Sequence, residues 1–264
     1  MPHVITPALL VSILEKGKSR RIKKEKDEDY LARQTHLHLS GRRIGSSAWP
    51  KPNPCPKLVA LYLFDNALEA VDGLSALVNL TTLYMQNNRL ESLGDLSGLT
   101  RLKKLYLSHN CLASLAPLAP LTELEDLQVA SQMLVPGTVM DLAPHVLGNM
   151  RNLEKLDLAN NNIYGTDELA VCESLTTVNL SKNPLESLPT IAALLNSAPL
   201  NELDLRGCPL SDDRRNLDAI IVVCPTIQKL NDRELIASER PYLQQLHNLG
   251  RRRVDMVEVM EPRR

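Results

Sequence analysis

The chain has 264 residues, 44% of them hydrophobic, and its 30 basic and 31 acidic side chains give a formal net charge of −1. This balance favours neither nucleic acid nor an anionic membrane as a partner, and the sequence has no run of about 18 apolar residues that would span a bilayer. The five cysteines are odd in number and scattered, and residues 1–14 lack a basic leader. We therefore expect a soluble protein of a reducing, intracellular compartment.

Residues 1–33 predict a helical cap followed by a charged connector. Thr6 is a suitable N-cap and Pro7 fits the first turn of a helix over residues 6–14, which has an apolar face. Seven Lys or Arg residues then lie within the basic run 16–26, and acidic residues follow at once. Because these charges nearly offset each other, we interpret the run as a solvated connector; a nuclear-import signal or a contact with acidic tubulin tails is the alternative.

Residues 34–215 carry about eight copies of one pattern, Leu-x-x-Leu-x-Leu-x-x-Asn-x-Leu, with a weaker first copy at 37–44. The clear copies begin at Leu58, Leu80, Leu102, Leu124, Leu153, Leu175 and Leu200. Four of the six steps between them are 22 residues long, a period typical of a leucine-rich-repeat solenoid. The predicted fold is therefore α/β, with a curved parallel sheet on the concave face, short helices or 3-10 turns on the convex face, and helical end caps.

Each copy places its residues in distinct environments. Leu61 and Leu63 of the second repeat are predicted to point into the core, whereas Tyr62 and Phe64 point out of the sheet. The asparagine at position nine lies where the chain leaves the strand, so its amide can bond to backbone groups that the sheet does not pair. The asparagines predicted to form such a ladder are Asn66, Asn88, Asn110, Asn161 and Asn183.

The later repeats depart from the 22-residue step. The fifth repeat has Gln132 in the ladder and is seven residues longer. This length predicts a bulging loop or a longer convex segment, with a helix around residues 139–147. The seventh repeat is predicted to end in a helix over residues 190–196, and the eighth has Cys208 in the ladder, where a thiol would make a weaker bond.

Three segments lie outside the regular pattern. Residues 45–57 contain four alternating prolines, which favour an extended arc on the convex side. Residues 216–248 are predicted to form a C-terminal cap that includes a helix with Leu217 and Ile220. Residues 249–264 are a charged tail that we predict to be disordered or an appended helix.

The sequence has no catalytic motif: no glycine-rich phosphate loop, no nucleophile elbow and no Cys-x-x-Cys pair. His36 and His38 share a face of the first strand, but no third ligand lies nearby, so we interpret them as surface residues and predict no metal site. Asp126, Asp157 and Asp204 lie on one face of an open sheet that lacks a dry pocket for acid–base chemistry. We therefore predict that the protein is not an enzyme and has no cofactor.

The concave face carries the most informative side chains. Position five of successive repeats reads Tyr62, Tyr84, Tyr106, Gln128, Asp157, Asn179 and Asp204. Position seven includes Phe64 and Gln86 at one end and Arg206 at the other. Four of the eight aromatic residues of the chain lie on this face.

Two roles are open for this aromatic stripe. Cross-strand stacking of tyrosines would stabilise the sheet by up to about 1 kcal/mol per pair, but tyrosine is also enriched where proteins bind each other. We favour binding, and the two roles are compatible. The stripe is aromatic in its N-terminal half and acidic or polar in its C-terminal half, which suits a partner with an apolar patch next to a basic one.

Several segments together carry a resemblance to a known family. They are the repeats at 61–66, 83–88 and 105–107, the long fifth repeat with Val129, Gln132 and Pro136, and the cap at 230–235 followed by Glu239 and Arg240. In these segments the chain resembles the 22-residue class of intracellular leucine-rich-repeat proteins that includes the regulatory subunits of protein phosphatase 1. The resemblance covers roughly residues 30–245 and rests on motifs.

The resemblance implies a non-catalytic scaffold that binds the protein phosphatase 1 catalytic subunit at cilia, flagella or centrosomes. The docking motif of many phosphatase partners (a basic residue, Val or Ile, any residue, Phe or Trp) is absent, because Phe64 and Trp49 are the only such aromatics and neither has that context. Phosphatase contact would therefore use the concave face. The alternative is a structural protein of the axoneme or microtubules that contacts tubulin and has no phosphatase role. In either case we expect a monomer without nucleic-acid or membrane partners.

Overall fold

The computed structural model of the protein describes residues 3–17, 21–46, 48–246 and 248. Its strands are β1 (His3–Val4), β2 (His36–His38), β3 (Ile44–Ser46), β4 (Ala60–Tyr62), β5 (Thr82–Tyr84), β6 (Lys104–Tyr106), β7 (Asp126–Gln128), β8 (Lys155–Asp157), β9 (Thr177–Asn179), β10 (Glu202–Asp204), β11 (Lys229–Leu230) and β12 (Arg233–Glu234). Its α-helices are α1 (Pro7–Lys16), α2 (Asp27–Ala32), α3 (Pro144–Leu147), α4 (Ala192–Ser197) and α5 (Arg214–Val223). Short 3-10 helices lie at Leu74–Ala76, Ala116–Leu118, Asp167–Val171, Leu188–Ile191 and Pro209–Asp212.

Ten of the described strands form one sheet in the order β2-β4-β5-β6-β7-β8-β9-β10-β11-β12. Neighbouring strands are parallel except β11 and β12, which are antiparallel. The register brings the same repeat position together on successive strands, as for Leu61, Leu83 and Leu105. Each repeat therefore contributes one strand and one convex segment, which confirms the predicted α/β repeat solenoid.

One hydrophobic core runs between the sheet and the convex segments. Leu61 and Leu63 enter it from the sheet side, and Val71, Leu74 and Leu77 enter it from the convex side, all of them buried. A fully buried leucine contributes about 1.5–3 kcal/mol relative to an exposed one. Because each repeat covers its core only against its neighbours, this stabilisation depends on stacking.

The amide ladder is confirmed, and it joins neighbouring repeats. Asn110 accepts a hydrogen bond from the Leu90 N–H at 3.0 Å and donates to the carbonyls of Met85 and Leu107 at 3.0 and 2.8 Å. Gln132 makes the same set of bonds in the long fifth repeat, including acceptance from the Leu112 N–H at 2.9 Å. A buried amide thus satisfies backbone groups that the strands leave unpaired.

The residue before each ladder position has a left-handed backbone conformation. Positive φ angles of 55–73° occur at Asp65, Asn87, His109, Ser131, Asn160, Lys182 and Gly207. Asp, Asn and Gly adopt this region more readily than other residues. The sharp turn at this position directs the following amide side chain into the core.

The N-terminal helix is confirmed, and a second helix follows it. The Thr6 side chain accepts from the Leu9 N–H at 3.2 Å at the start of α1, which buries Leu10, Val11, Ile13 and Leu14. Helix α2 was not predicted, because its sequence is dominated by charge. It places Tyr30 in the core with no exposed surface.

The basic run is in part structural rather than a free connector. Residues 18–20 lie outside the described residues, but the Arg21 guanidinium forms ion pairs with Glu15, at 2.5 Å, and with Asp27. Arg21 and Arg33 also place their Cζ atoms 5.3 and 5.1 Å from the centroid of the Tyr30 ring. These contacts fix α2 against α1, and they occupy one of the seven basic side chains of the run.

After the loop of the long fifth repeat, backbone pairing with the fourth repeat resumes at Asp141. Asp141 forms a parallel bridge with Ser114 of the fourth repeat, and the Ser114 hydroxyl donates to its carboxylate at 2.6 Å. Asp141 lies nine residues after Gln132, whereas Ser114 lies four residues after Asn110. Five of the seven extra residues therefore bulge in a loop directly after the ladder, and two lengthen the convex segment.

The helix predicted over residues 139–147 is shorter than expected. Helix α3 begins at Pro144, because Ala143 has a φ of 49° and a proline fits the first helical turn but not its interior. In the seventh repeat the predicted helix over residues 190–196 is found as a 3-10 turn that continues into α4 (Ala192–Ser197).

The C-terminal cap extends the sheet. Helix α5 begins at an Asp213 N-cap and buries Ile220 and Ile221, and β11 and β12 then add to the sheet, which was not predicted. The Cys208 thiol donates to the Leu180 carbonyl at 3.1 Å, and Asn231 accepts from the Leu205 N–H at 2.8 Å. A further helical segment covers residues 239–246. The predicted charged tail, 249–264, lies outside the described residues.

Candidate protein-binding surface

A column of parallel rings crosses the N-terminal half of the concave face. The ring centroids of Tyr62 and Tyr84 are 4.7 Å apart and those of Tyr84 and Tyr106 are 4.5 Å apart, with interplanar angles of 8° and 3°. His38 extends the column at 4.1 Å from Tyr62 and 13°. Because adjacent strands lie about 4.8 Å apart, one ring per strand at the same position produces this stacking. We call His38, Tyr62, Tyr84 and Tyr106 the tyrosine stack.

A hydrogen bond fixes one end of the tyrosine stack, and its three tyrosine side chains are half-buried. The Tyr106 hydroxyl donates to the Asp126 carboxylate at 3.0 Å, and burial, followed by this hydrogen bond, raises the pKa of Tyr106. Each tyrosine remains partly accessible on the concave side. The stack is therefore an ordered aromatic surface that a partner can contact without first fixing the side chains.

Asp157 lies in the middle of the position-five column, between Gln128 and Asn179 on the neighbouring strands. It accepts from the Ala159 N–H at 3.0 Å, and no cation within the described part of the chain forms an ion pair with it. Partial burial raises the pKa of Asp157, and the negative charges of Asp204 and Asp126 act in the same direction. Asp157 is thus a carboxylate whose charge the protein leaves uncompensated.

Asp204 and Arg206 neutralise each other at the C-terminal end. The Arg206 guanidinium binds both oxygens of Asp204, with the shortest contact at 2.6 Å, and also pairs with Asp232. Burial alone would raise the pKa of Asp204, but the hydrogen bonds from Arg206 lower it. Position five has two carboxylates in the C-terminal half of the stripe, and Arg206 neutralises Asp204 but not Asp157. This half is therefore less acidic than the sequence suggested.

Position five also serves the backbone in the last repeats. Asp157, Asn179 and Asp204 each accept from the N–H two residues further on, at 3.0–3.1 Å. Short Asp and Asn side chains favour such local bonds. In repeats six to eight, the side chain at position five therefore stabilises the local backbone, in addition to any role in binding.

Position seven forms a second column, next to the tyrosine stack. Phe64 and Gln86 are half-buried, and the Gln86 Oε1 atom is buried without a hydrogen-bond partner in the described residues. In repeats five and six this column holds Ala130 and Ala159, whose small side chains cover little of the sheet surface. The predicted site residues are therefore brought onto one surface, in the register that the repeat implies.

A third column on the same face was not included in the predicted site. Position three places Lys104, Asp126 and Lys155 opposite one another on β6, β7 and β8. Lys104 and Lys155 are exposed and flank the Asp126 carboxylate. The two-residue alternation of a strand assigns position three to the same face as positions five and seven, so the pattern that located the stripe could also have located this column.

The described residues also include side chains of the types that can hold a metal ion. Within them, no three His, Cys, Asp or Glu side chains form a group that could hold a metal ion. All five cysteines are free thiols, and burial raises the pKa of Cys55 to about 12 and that of Cys172 to about 11, so these two are poor nucleophiles at neutral pH. None of the described helices is long and apolar enough to cross a membrane.

A family model described as leucine-rich repeats in two copies matches residues 56–99, 78–120 and 151–193. Among solved structures, an internalin from Listeria monocytogenes is similar with a TM-score of 0.59 and 20% identity, over 85% of this chain and 67% of the internalin.

Two further structures extend this comparison. A leucine-rich-repeat protein from Leptospira interrogans has a TM-score of 0.57 and 21% identity, over 78% of this chain and 56% of its own length. The plant peptide hormone receptor RGFR1, solved in complex with RGF2, has a TM-score of 0.53 and 22% identity, over 75% and 32%. At these identities the likeness concerns the fold.

Proposed function

Because the chain is a leucine-rich-repeat protein, we propose that it is a non-catalytic scaffold that binds another protein on its concave face. Proteins with such repeats generally bind protein partners along their sheets. The partner occupies the tyrosine stack together with Asp157.

One observation carries the proposal: the three tyrosines of the stack are ordered but partly accessible on an open sheet. The described core receives only two of the eight aromatic side chains, Tyr30 and Trp49. Aromatic side chains bury more apolar area than any others, so their placement on the concave face indicates a second use.

The geometry specifies the chemistry of the partner. Asp157 lies two strands from Tyr106, or about 10 Å at the usual strand spacing. An extended peptide that crosses the strands advances about 3.3 Å per residue. We therefore expect the partner to present an apolar or aromatic residue to the stack and an arginine or lysine, about three positions away, to Asp157.

The finer proposal is that this partner is the protein phosphatase 1 catalytic subunit. The sequence resembles protein phosphatase 1 regulatory subunit 42 in its second to fifth repeats and its cap, and the resemblance implies a targeting role at cilia, flagella or centrosomes within the cytoplasm. A structural role on the axoneme or microtubules is the alternative. The ion pairs of Arg21 with Glu15 and Asp27 reduce the charge that the basic run could offer to tubulin tails, so we favour the phosphatase.

Surface plasmon resonance with purified phosphatase 1 catalytic subunit tests this proposal. The informative variant combines Tyr84→Ala with Asp157→Ala, and we expect it to abolish binding while its circular dichroism spectrum stays unchanged. The matched control combines Tyr242→Ala with Asp167→Ala, because these residues are exposed and lie off the concave face.

Three outcomes separate the alternatives. Loss of phosphatase binding in the first variant alone supports the proposal. Equal binding by wild type and both variants contradicts the assigned surface. If wild type binds no phosphatase but co-sediments with microtubules in a salt-sensitive manner, the structural role replaces the regulatory one.

A further inference from the structure

A second surface lies on the loop that lengthens the fifth repeat. We call residues 133–140 the insert loop. Its exposed side chains are apolar: Met133, Val135 and Val139 are 58%, 75% and 54% exposed. A loop that only spanned a gap would be expected to expose polar residues, so this composition requires an explanation.

The next repeat enlarges this apolar surface. Tyr164, which is 54% exposed, lies three residues after the ladder Asn161, as Val135 lies three residues after Gln132. The same position in repeats two, three and seven is Glu69, Glu91 and Glu186. This position is thus acidic in three repeats, whereas it holds a large, mainly apolar side chain in repeat five, which carries the insert loop, and in repeat six.

The insert loop is held in one conformation by its backbone. Val135 to Thr138 form a turn that is closed by the Thr138 N–H and the Val135 carbonyl at 3.0 Å. Pro136 and Gly137 occupy its centre, and the φ of 86° at Gly137 is the value that this kind of turn requires of a glycine. Asn162 donates to the Thr138 carbonyl at 3.0 Å, which ties the loop to repeat six. An ordered apolar loop needs little further ordering on binding.

A cavity of about 290 Å³ lies beside the loop, lined by Val135, Pro136, Asn160, Lys182 and neighbouring residues. Val135 and Pro136 form an apolar side of this cavity, and Asn160, Asn162 and Lys182 contribute polar groups. Lys182 is exposed at this cavity, and no carboxylate of the described chain forms an ion pair with it. The site therefore offers an apolar contact and an uncompensated positive charge side by side.

We propose that the insert loop is a second docking surface, which binds a segment of a partner protein through one aliphatic or aromatic residue next to a carboxylate. The apolar residue occupies the cavity and the carboxylate pairs with Lys182. This chemistry is opposite in charge to that of the concave face, where Asp157 requires a cation. The two surfaces therefore recognise different segments, and the second does not depend on the first.

A displayed library of random twelve-residue peptides, panned against the purified full chain, tests this proposal. We expect enriched peptides to carry a large apolar residue beside Asp or Glu. In fluorescence anisotropy such a peptide should bind the Val135→Ser/Val139→Ser variant at least about tenfold more weakly than wild type. The matched control is Val78→Ser/Val171→Ser, which alters exposed valines elsewhere and should bind as wild type does.

Charge reversal makes the test specific. Lys182→Glu should weaken binding of the same peptide, and a peptide with lysine in place of its acidic residue should bind Lys182→Glu better than wild type. Absence of any enriched peptide, or equal binding to the Val135→Ser/Val139→Ser variant, overturns the proposal. A self-association in sedimentation velocity that this variant removes also overturns it, because the occupant would then be a second copy of the chain.

Discussion

The ring of Tyr84 lies parallel to the ring of Tyr106, with centroids 4.5 Å apart and an interplanar angle of 3°. Tyr62 stacks on the opposite side of Tyr84, so Tyr84 is the one tyrosine of the stack with a tyrosine on both sides. The two roles of the stack, stabilising the sheet and binding a partner, can therefore be separated at this residue.

Tyr84→Ala should lower the free energy of unfolding by about 1–3 kcal/mol, because two aromatic pairs are lost. Tyr84→Phe keeps both ring contacts and should remain within about 0.5 kcal/mol of wild type. Urea denaturation monitored by circular dichroism measures both values. Equal stability of the alanine variant and wild type would mean that the stacking contributes nothing to the sheet.

Asp157→Asn should make the protein more stable at neutral pH. Partial burial raises the pKa of Asp157 above its unfolded value of about 3.9, so the folded chain holds this proton more tightly than the unfolded chain. The free energy of unfolding therefore falls as pH rises from about 3.9 through the raised pKa of the folded chain. Asparagine keeps an acceptor for the Ala159 N–H but has no charge.

Urea titrations of wild type and Asp157→Asn between pH 4 and pH 8 test this prediction. The stability difference should be largest at pH 7 and should shrink as the pH approaches 4. Asp167→Asn, at an exposed residue, serves as the control. A less stable Asn variant at pH 7 would show that the hydrogen bonds accepted by the Asp157 carboxylate outweigh the cost of its burial.

Asn110→Ala should be among the most destabilising single substitutions outside the apolar core. It leaves the Leu90 N–H without its partner, at a cost of about 1–3 kcal/mol. It also removes one of the two amide donors of the Met85 and Leu107 carbonyls, which keep their bonds from Asn88 and Gln132. Asn152→Ala removes an exposed amide and should cost less than about 0.5 kcal/mol. Thermal melts of both variants give the comparison, and similar melting temperatures would contradict the role of the ladder.

Tyr30→Ala should lower the free energy of unfolding by about 3–5 kcal/mol, because it opens a cavity beneath Arg21 and Arg33. Tyr164→Ala removes the same side chain from an exposed position and should cost about 0.5 kcal/mol or less. Chemical denaturation of the pair tests whether α2 belongs to the folded core. A small effect at Tyr30 would indicate that α2 is peripheral.

The repeat pattern predicted the sheet, its register and the columns of the concave face, because one leucine period fixes both the strand and its outward positions. The sequence placed Tyr62, Tyr84 and Tyr106 on one face, and the structure stacks them. It did not predict that Arg206 neutralises Asp204, since the two-residue spacing on one strand leaves the rotamer of a long side chain open.

Elements without the leucine period were the ones that the sequence missed. Helix α2 is stabilised by contacts of Tyr30 with arginines, and its charged sequence resembles a solvated connector. The long fifth repeat was recognised by its length, but the division between the loop and the convex segment depends on the bridge of Asp141 with Ser114, which no local pattern specifies. His38 was identified as a surface residue, yet its stacking on Tyr62 arises only when the strands pair.

At the last position of the amide ladder, two residues make the hydrogen bonds that one amide side chain makes in the earlier repeats. Cys208 supplies the donor and Asn231, between β11 and β12, supplies the acceptor for the Leu205 N–H. We therefore expect the exchange of this amide proton with solvent deuterium to be governed by opening of the cap hairpin. The Leu90 N–H is held by Asn110 of the next repeat, and we expect it to exchange only when neighbouring repeats in the middle of the solenoid separate. The two amide protons should therefore differ in their protection from exchange, with the lower protection at the C-terminal end.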